Sequence, residues 1–396
     1  MKILIITRHF PPDSGALSYR MIHLAGILAK KYDLTVISSQ PNRYNSKIKY
    51  NTTETKDGYT IKRIWSGVIF KGHGKLQRGL TEMLGALWMT LFCLFKFNRY
   101  DAVFVSSPPL LFTIPGVFLE ILFGKKLIVD VRDLWVDWIE ETKIIKYKYI
   151  IKILKKYEKF LFTKAFYIST ATNSFRKIII NRHKYDPSKI SLVYNGIDEI
   201  FSDFSSNERT CSIGISKIKI VYAGNLGPSQ NLLSIIDGMS ATVKEFPNVE
   251  FLLVGDGGQY NSLAGYNDES IKVLKRVDRF ELRKIYSEAN ALLVHLAKLE
   301  VYKHTVPSKI FEYLYLRRPI ICGLVGEAKD ICEQYGDCYN FLPEDSVSLF
   351  NAIKRFVTGQ HADNFENLRE NAKWLLRSSR KIDWENIFEQ VADKNH

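Results

Sequence analysis

Short apolar runs alternate along the chain with stretches in which apolar side chains recur every three or four positions. Residues 2–7 form an apolar run of strand length, residues 16–31 carry apolar side chains at helical spacing, and residues 34–38 form a second run. Short continuous apolar runs are typical of strands that are buried on both faces. Strand, helix and strand with short connections predict a mostly parallel sheet covered by helices on both sides.

The alternation continues to residue 194, breaks in a polar segment at 202–216, and then begins again. Further strands are predicted at 59–65, 102–105, 126–131, 165–169, 190–194, 218–223, 249–254, 271–277, 291–296 and 319–322. Further helices are predicted at about 78–97, 110–123, 147–162, from 173, from 230, at 280–289 and after 307. The fold class is therefore α/β, with two doubly wound, Rossmann-like domains. We predict domains at 1–200 and 217–375, a linker at 201–216, and a C-terminal helix in 376–396.

Composition agrees with a globular chain. With 396 residues, 46% hydrophobic and 25% charged, the protein can fill two cores, so long disordered stretches are not expected. The five cysteines include no Cys-x-x-Cys pair and no histidines at metal-site spacing, which favours a reducing, cytoplasmic setting. The longest apolar run, 84–97, is shorter than the roughly 20 residues that cross a bilayer, so no transmembrane segment is expected.

The positive charge is concentrated in the first half of the chain. Residues 1–200 contain 32 Lys and Arg against 16 Asp and Glu, whereas the remainder carries a net charge of −2. This asymmetry points to a polyanionic partner, either an anionic membrane or nucleic acid. Residues 143–164 hold eight lysines and one glutamate among apolar residues. They form either an amphipathic helix on a bilayer, which the apolar helix 80–97 could join, or a core helix with a solvated basic face.

A glycine-containing loop follows the first predicted strand of each domain and precedes a helix. Gly15 lies in the first of these loops, and Gly224, Asn225 and Gly227 lie in the second. Glycine permits close backbone approach to a phosphate or sugar, although a turn glycine needed only for geometry is the alternative. No Gly-x-Gly-x-x-Gly motif is present and no acidic residue ends the second strand, which weakens a nicotinamide-dinucleotide interpretation.

Residues 306–312 predict an anion-binding helix end. Pro307 and Ser308 are typical of a first helical turn, and Lys309 and Glu312 are three residues apart on one side of it. A phosphate at the helix N-terminus and a hydroxyl-rich group beside it could share such a site. An ordinary amphipathic helix before a strand is the alternative. Arg279 is the other well-placed basic residue of this domain, unless it is a solvated surface charge.

Arg132 and Asp133 follow a predicted strand of the first domain. Asp133 could accept a proton or a substrate hydroxyl and Arg132 could hold an anion, whereas an internal salt bridge packed by Trp135 is the alternative. No Asp-x-Asp triplet occurs, so a divalent metal held by paired carboxylates is not expected. The negative charge of a phosphate would then have to be balanced by Lys309, Arg279 and helix N-termini.

Together these motifs resemble family 4 glycosyltransferases, which are retaining enzymes of GT-B fold. The resemblance rests on residues 10–15, 132–135, 195–198, 222–227, 254–257 and 307–313, in order and over most of the chain. The chain looks most like bacterial O-antigen and capsule transferases, including N-acetyl-L-fucosamine transferases. The resemblance implies two domains that face a central cleft, and a last helix that crosses back to the first domain.

The resemblance also implies roles for individual residues. Glu312 matches the second glutamate of a Glu-x7-Glu motif, which binds the donor ribose, and Ser308 and Lys309 match the diphosphate loop. Gly224, Asn225 and Gly227 match the second-domain loop that faces the diphosphate. His304 stands where the family has its first glutamate, a departure that affects the expected contacts with the donor sugar.

Arg132 and Asp133 fall where family members place catalytic-site side chains, and Gly15 matches the loop that faces donor and acceptor. The expected catalytic residues are therefore Asp133, Arg132 and His304.

We therefore expect a retaining enzyme that moves a sugar, such as N-acetyl-L-fucosamine or another N-acetylated deoxyhexose, from a UDP-sugar to an undecaprenyl-diphosphate-linked saccharide. No metal or cofactor is expected, and the enzyme would be peripheral on the cytoplasmic face of the membrane, with no nucleic-acid partner. Two alternatives stay open: a GT-B epimerase acting on UDP-sugars, and a non-catalytic protein that binds membrane or nucleic acid.

Overall fold

The computed structural model describes residues 1–13, 15–40, 52–65, 75–96, 99–197, 217–266, 268–359 and 372–393. The chain divides into two compact units, one formed by Met1–Asn195 with Arg380–His396 and the other by Gly196–Ser379. The predicted linker, 201–216, and Asp198 of the Asn-Gly-Ile-Asp motif lie outside the described residues.

The first unit is built on an eight-stranded sheet. Its elements in the first 195 residues are β1 (Lys2–Thr7), α1 (Ala16–Leu28), β2 (Asp33–Ser39), β3 (Thr52–Lys56), β4 (Tyr59–Ile64), α2 (Lys75–Lys96), β5 (Ala102–Ser107), α3 (Ile114–Phe123), β6 (Lys126–Val131), α4 (Trp135–Glu141), α5 (Lys148–Lys164), β7 (Tyr167–Thr170), α6 (Asn173–His183) and β8 (Ile190–Leu192). The strand order is β3-β4-β2-β1-β5-β6-β7-β8. All neighbours are parallel except β3 and β4. The central strands are buried and apolar, as the alternating pattern predicts.

The second unit is built on a six-stranded, all-parallel sheet. Its elements are β9 (Ile218–Ala223), α7 (Ile236–Glu245), β10 (Val249–Val254), α8 (Tyr260–Ala264), β11 (Ile271–Leu274), α9 (Arg279–Ser287), β12 (Ala291–His295), α10 (Lys309–Leu316), β13 (Ile320–Gly323), α11 (Glu327–Tyr335), β14 (Cys338–Asn340) and α12 (Ser346–Val357). In the strand order β11-β10-β9-β12-β13-β14, successive strands are added first on one side of β9 and then on the other, so the order of addition reverses beside β9. In sheets of this kind ligands bind beyond the carboxyl ends of the strands at such a reversal.

The last helix, α13 (Lys381–Ala392), packs within the first unit. Trp384 and Phe388 are buried against Phe104 of β5, with ring centroids 5.9 and 6.1 Å away. Trp384 also lies under the guanidinium of Arg20, which makes two hydrogen bonds of 2.7 and 3.0 Å to the buried carboxylate of Asp130. The helix therefore closes the core of this unit on the side of α1.

Several elements differ from the pattern in the sequence, and α4, α8, α11, β14 and α12 were not predicted. Strand β3 was not predicted because its residues are polar on both faces; it forms an exposed antiparallel edge, joined to β4 by a hairpin in which Asp57 and Gly58 both have positive φ. The helix predicted from residue 230 starts later, since Asn231 adopts a left-handed conformation and a short 3-10 helix, Leu232–Ile235, precedes α7. Among the described residues, no helix combines the length and apolar content needed to cross a bilayer.

Candidate functional site

Lys309 reaches from the start of α10 to the loop that follows β9. A Cβ atom added to Gly224 would lie 2.6 Å from the Lys309 Nζ atom, and Gly224 has a φ of +152°. A side chain at this position would therefore be strained and would also meet the lysine. The sequence places these two residues 85 positions apart, and the fold brings them together at the carboxyl end of the central strand of the sheet.

The ammonium of Lys309 is buried over an aromatic ring. Its Nζ atom lies 3.8 Å from the centroid of the Tyr222 ring. The Nζ atom has no hydrogen-bond partner among the described residues, although the residue as a whole is partly exposed. Burial lowers the pKa of Lys309 to about 7, against the opposing attraction of Glu312. An ammonium that packs against a ring face and keeps unused hydrogen-bond donors can bind an anion.

Tyr222 is fixed in turn by the glycine loop. Its hydroxyl donates a 2.7 Å hydrogen bond to the carbonyl oxygen of Asn225. The side-chain amide of Asn225 donates a 2.6 Å hydrogen bond to the Gln230 side chain and lies 2.6 Å from where a Cβ atom of Gly227 would stand. Gly224, Asn225 and Gly227 therefore form one folded loop whose first residue touches the lysine.

Glu312 is held by two side chains from α9. Arg279 Nη1 lies 2.7 Å from Glu312 Oε1, and the Tyr286 hydroxyl donates a 3.3 Å hydrogen bond to Oε2. The Tyr286 ring meets Tyr313 edge to face at 5.7 Å, which fixes its position in the core. Because Arg279 is paired with Glu312, its charge first serves to orient this carboxylate. The carboxylate is partly exposed and keeps lone pairs for a hydroxyl-bearing ligand.

Ser308 and His304 precede Lys309 along the chain. Ser308 is the N-cap residue of α10, but its hydroxyl makes no capping hydrogen bond to the helix, so it keeps its donor and acceptor capacity. His304 ends a 3-10 helix, Glu300–His304, and is half-buried. Three residues of extended or irregular chain separate His304 from Ser308.

A buried histidine that the sequence reasoning missed supports the glycine loop. His295 ends β12 and is fully buried. Its Nδ1 atom lies 2.6 Å from the carbonyl oxygen of Gln230, and its Nε2 atom accepts a 2.9 Å hydrogen bond from the backbone N–H of Glu344. These partners require a neutral ring with its proton on Nδ1. Burial lowers the pKa of His295 to about 4, in agreement with a neutral ring.

The same network continues through side chains. Asn231 donates a 2.6 Å hydrogen bond to Glu344 Oε1 and accepts one of 2.9 Å from Gln259. Asn231 and Glu344 both have positive φ, which places them in a conformation that side chains other than glycine rarely adopt. A histidine closing an apolar strand was the one sequence signal for this network, and its partners are far away in the chain.

In the first unit, Arg132 and Asp133 follow β6. Arg132 is buried, its backbone N–H donates a 2.9 Å hydrogen bond to the Ser107 carbonyl, and its guanidinium donates one to the Pro108 carbonyl. Burial lowers the pKa of Arg132 to about 10, although the attraction of Asp130 and Asp133 opposes the shift. Burial raises the pKa of Asp133 to about 6, and Arg132 partly offsets this rise.

The loop after β1 contains a histidine–aspartate pair that the sequence did not predict. His9 Nδ1 lies 2.8 Å from Asp13 Oδ2, and Asp13 is buried. Gly15, which has a φ of +129°, immediately precedes α1, and an added Cβ atom would meet no neighbour within 4 Å among the described residues. The backbone at Gly15, and not a close contact, is therefore what favours glycine there. No group of three or more His, Cys, Asp or Glu side chains in the described ranges is placed to hold a metal ion.

Comparison with known proteins adds a family match to this geometry. Residues 217–358 match the model of glycosyl transferases group 1. No curated protein matches the chain. The segment that matches contains both the glycine loop and α10.

Solved structures of similar fold cover nearly the whole chain. Sucrose-phosphate synthase from Thermosynechococcus elongatus superposes with a TM-score of 0.73 at 14% identity, covering 98% of each chain. Anabaena HepE in complex with UDP has a TM-score of 0.66 at 14% identity, covering 99% of this chain and 98% of its own. WaaG, a glycosyltransferase of lipopolysaccharide biosynthesis, has a TM-score of 0.60 at 13% identity, covering 100% and 96%.

These likenesses confirm the predicted fold of two parallel-sheet domains. The chain therefore has the GT-B fold, and its residues 217–358 are similar to the group 1 glycosyl transferases.

Proposed function

We propose that the second unit binds a UDP-sugar and that the enzyme transfers the sugar, with retention, to a saccharide carried on a lipid diphosphate. The observation that carries the proposal is the buried ammonium of Lys309 at the start of α10, which lies beside Gly224 and has no hydrogen-bond acceptor among the described residues. Nucleotide complexes of similar folds support the class of donor, since structures of HepE contain UDP and UDP-glucose.

The diphosphate binds between the glycine loop and the first turn of α10. The bare backbone at Gly224 leaves room for a phosphate oxygen next to Lys309, and the Ser308 hydroxyl is available at the same helix end. The positive end of the helix dipole favours an anion in this position. The bound diphosphate supplies the hydrogen-bond acceptor that the Lys309 ammonium lacks.

The ribose binds at Glu312. A carboxylate with unused lone pairs accepts hydrogen bonds from neighbouring hydroxyl groups. Arg279 and Tyr286 each hold one oxygen of this carboxylate, so they fix its direction before the nucleotide arrives. Arg279 is thus proposed to be a positioning residue for Glu312 and not a direct diphosphate ligand.

Transfer proceeds by front-face attack. The acceptor hydroxyl approaches the anomeric carbon from the side on which UDP departs, a new C–O bond forms as the bond to the diphosphate breaks, and a diphosphate oxygen takes the acceptor proton. Lys309 and the positive end of the α10 dipole stabilise the negative charge that develops on the leaving group. No protein nucleophile is involved. Asp133, with a pKa near 6, and the cationic Arg132 serve the acceptor side, and His304 contacts the donor sugar.

The acceptor is proposed to be an undecaprenyl-diphosphate-linked saccharide of O-antigen or capsule synthesis at the cytoplasmic face of the membrane. The excess of Lys and Arg in the first half of the chain supports an anionic membrane surface as the binding partner. Similar folds include WaaG and the lipopolysaccharide outer core galactosyltransferase WaaB, which support this pathway class. The resemblance to N-acetyl-L-fucosamine transferases makes an N-acetylated deoxyhexose the first donor sugar to test.

A screen of UDP-, GDP- and dTDP-sugars tests the proposal. We expect UDP and its sugars to raise the melting temperature of the full chain, and one UDP-sugar to give a product with retained configuration on a lipid-diphosphate acceptor analogue. If a UDP-sugar were converted to its epimer without acceptor, or if no nucleotide stabilised the protein, the proposal would be wrong.

A further inference from the structure

An exposed apolar stripe runs along the outer face of α2. Leu80, Met83, Leu87, Leu91 and Phe95 recur every three or four residues and are all exposed, and Phe95 is 84% exposed. The opposite face of the helix, which includes Ala86, Met89 and Cys93, is buried in the core. Helix α2 is therefore apolar on both faces, which a helix that only covers a sheet does not require.

Helix α3 extends this apolar surface. It packs beside α2 and exposes the side chains of Phe118, Ile121, Leu122 and Phe123. Fourteen of the twenty exposed large apolar side chains in the described part of the chain lie on α2, α3 or α5, or on Tyr147 at the start of α5. Exposed apolar residues are normally scattered, and a concentration of this kind marks an interaction surface.

Helix α5 joins the same surface and supplies positive charge. It is tied to α3 by an ion pair of 3.5 Å between Lys164 and Glu120, and the Tyr157 and Thr113 hydroxyls lie 2.8 Å apart. On its exposed face, Tyr149, Ile153 and Phe160 alternate with lysines. An open depression of about 350 Å³ is lined mainly by these lysines, Lys148, Lys152, Lys155, Lys156 and Lys159.

We propose that the outward faces of α2, α3 and α5 form a docking surface for an anionic lipid bilayer. Apolar side chains on α2 and α3 enter the acyl boundary, and the lysines of α5 pair with anionic headgroups. Charge complementarity selects this occupant: residues 143–164 carry eight lysines and a single glutamate, so a second copy of the same surface would be repelled.

The docking surface is linked to the loop after β1. Arg8 Nη1 lies 2.5 Å from Glu82 Oε1 of α2, and the Arg8 guanidinium lies 5.5 Å from the centre of the Phe112 ring just before α3. This loop contains the His9–Asp13 pair and ends at Gly15. Docking therefore holds the loop next to the bilayer, and, given the proposed function, a lipid-linked acceptor reaches it from the membrane plane.

Vesicle flotation of the full chain tests the docking surface. The wild type should float with phosphatidylglycerol-containing vesicles at low salt, at least tenfold more than with phosphatidylcholine vesicles, and lose binding as salt increases. Met83→Ser/Phe95→Ser and Lys152→Gln/Lys156→Gln/Lys159→Gln should each reduce flotation at least fivefold. These side chains are exposed, so the fold should be unaffected.

Matched variants outside the surface serve as controls. Val347→Ser/Ile382→Ser removes apolar side chains that are 70% and 64% exposed, and Lys217→Gln/Lys244→Gln/Lys354→Gln removes three exposed lysines. Both should float like the wild type. Absence of flotation of the wild type, an equal loss in the controls, or a wild-type dimer that Met83→Ser/Phe95→Ser dissociates would each overturn the proposal.

UDP binding separates this proposal from the proposed function. The docking variants should keep the full thermal stabilisation by UDP and lose transfer only to an acceptor embedded in vesicles. Stabilisation by UDP without vesicle binding would refute the docking surface alone. Vesicle binding without any nucleotide effect would support the docking surface and refute the proposed donor site.

Discussion

The Lys309 ammonium lies 3.8 Å from the centre of the Tyr222 ring, and its nitrogen is buried without a hydrogen-bond acceptor in the described structure. A desolvated cation over a tyrosine ring gains about 2 kcal/mol, much less than full hydration would give. The ammonium therefore lacks part of its solvation in the free protein, and an anion that binds there compensates for the lost hydration.

UDP affinity should depend on the charge of Lys309. Its pKa is about 7 in the free protein because of burial, and a bound diphosphate should raise it again. Binding should therefore take up a proton near pH 8, and affinity should fall by up to about tenfold per pH unit above pH 7. Isothermal titration calorimetry in buffers of different ionisation enthalpy measures both effects. Lys309→Met should abolish the proton uptake, and uptake that persists in this variant would contradict the assignment.

Gly224→Ala should weaken UDP binding at least tenfold. The new methyl group would stand 2.6 Å from Lys309 Nζ, at a φ that alanine rarely adopts, so either the lysine or the loop must move. Gly26→Ala is the matched control, because Gly26 lies inside α1 and an added Cβ atom there meets no neighbour in the described part of the chain. Equal affinities for the two variants, measured by calorimetry, would argue against close approach of phosphate to the loop.

Arg279 and Glu312 should act as one unit in nucleotide binding. Glu312→Gln removes the charge that accepts ribose hydroxyls, and Arg279→Gln leaves the carboxylate without one of its two fixed partners. We expect Glu312→Gln to weaken UDP binding at least tenfold and Arg279→Gln about three- to tenfold. A double-mutant cycle should give clearly non-additive losses. Additive losses would mean that Arg279 contacts the nucleotide independently.

His295 should position the glycine loop and make stability sensitive to acid. Because its pKa is about 4 when folded and 6.5 in the reference state, the unfolded chain binds more protons between these values. The contribution of His295 to the free energy of unfolding should therefore be fully present above pH 6.5 and should be lost, by up to about 3 kcal/mol, as the pH decreases to 4.

His295→Phe should lose this dependence. It should also raise the KM for the donor several-fold more than it lowers kcat, since Gln230 and Glu344 lose a shared partner. Denaturant unfolding across this pH range, together with steady-state kinetics, provides the check. An unchanged pH dependence of unfolding in the variant would assign the effect to another group.

The strand pattern could be predicted closely from the sequence, and the site contacts could not. Strands at Lys2–Thr7 and Lys126–Val131 occupy the predicted residues, because fully buried strands are continuous apolar runs. Strand Thr52–Lys56 was missed because an exposed edge strand needs no apolar face. His295 meets Glu344 at a separation of 49 residues, and Arg279 meets Glu312 at 33. Such pairs depend on strand order and loop conformation, which periodicity does not encode.

The most direct test of the donor site compares UDP binding by the wild type and Lys309→Met at pH 7. Methionine keeps an unbranched side chain over Tyr222 and removes the ammonium, so the melting temperature of the free protein should not decrease. The account predicts that the wild type binds UDP and that Lys309→Met binds it at least tenfold more weakly. Equal affinities for UDP in the two folded proteins would contradict the account.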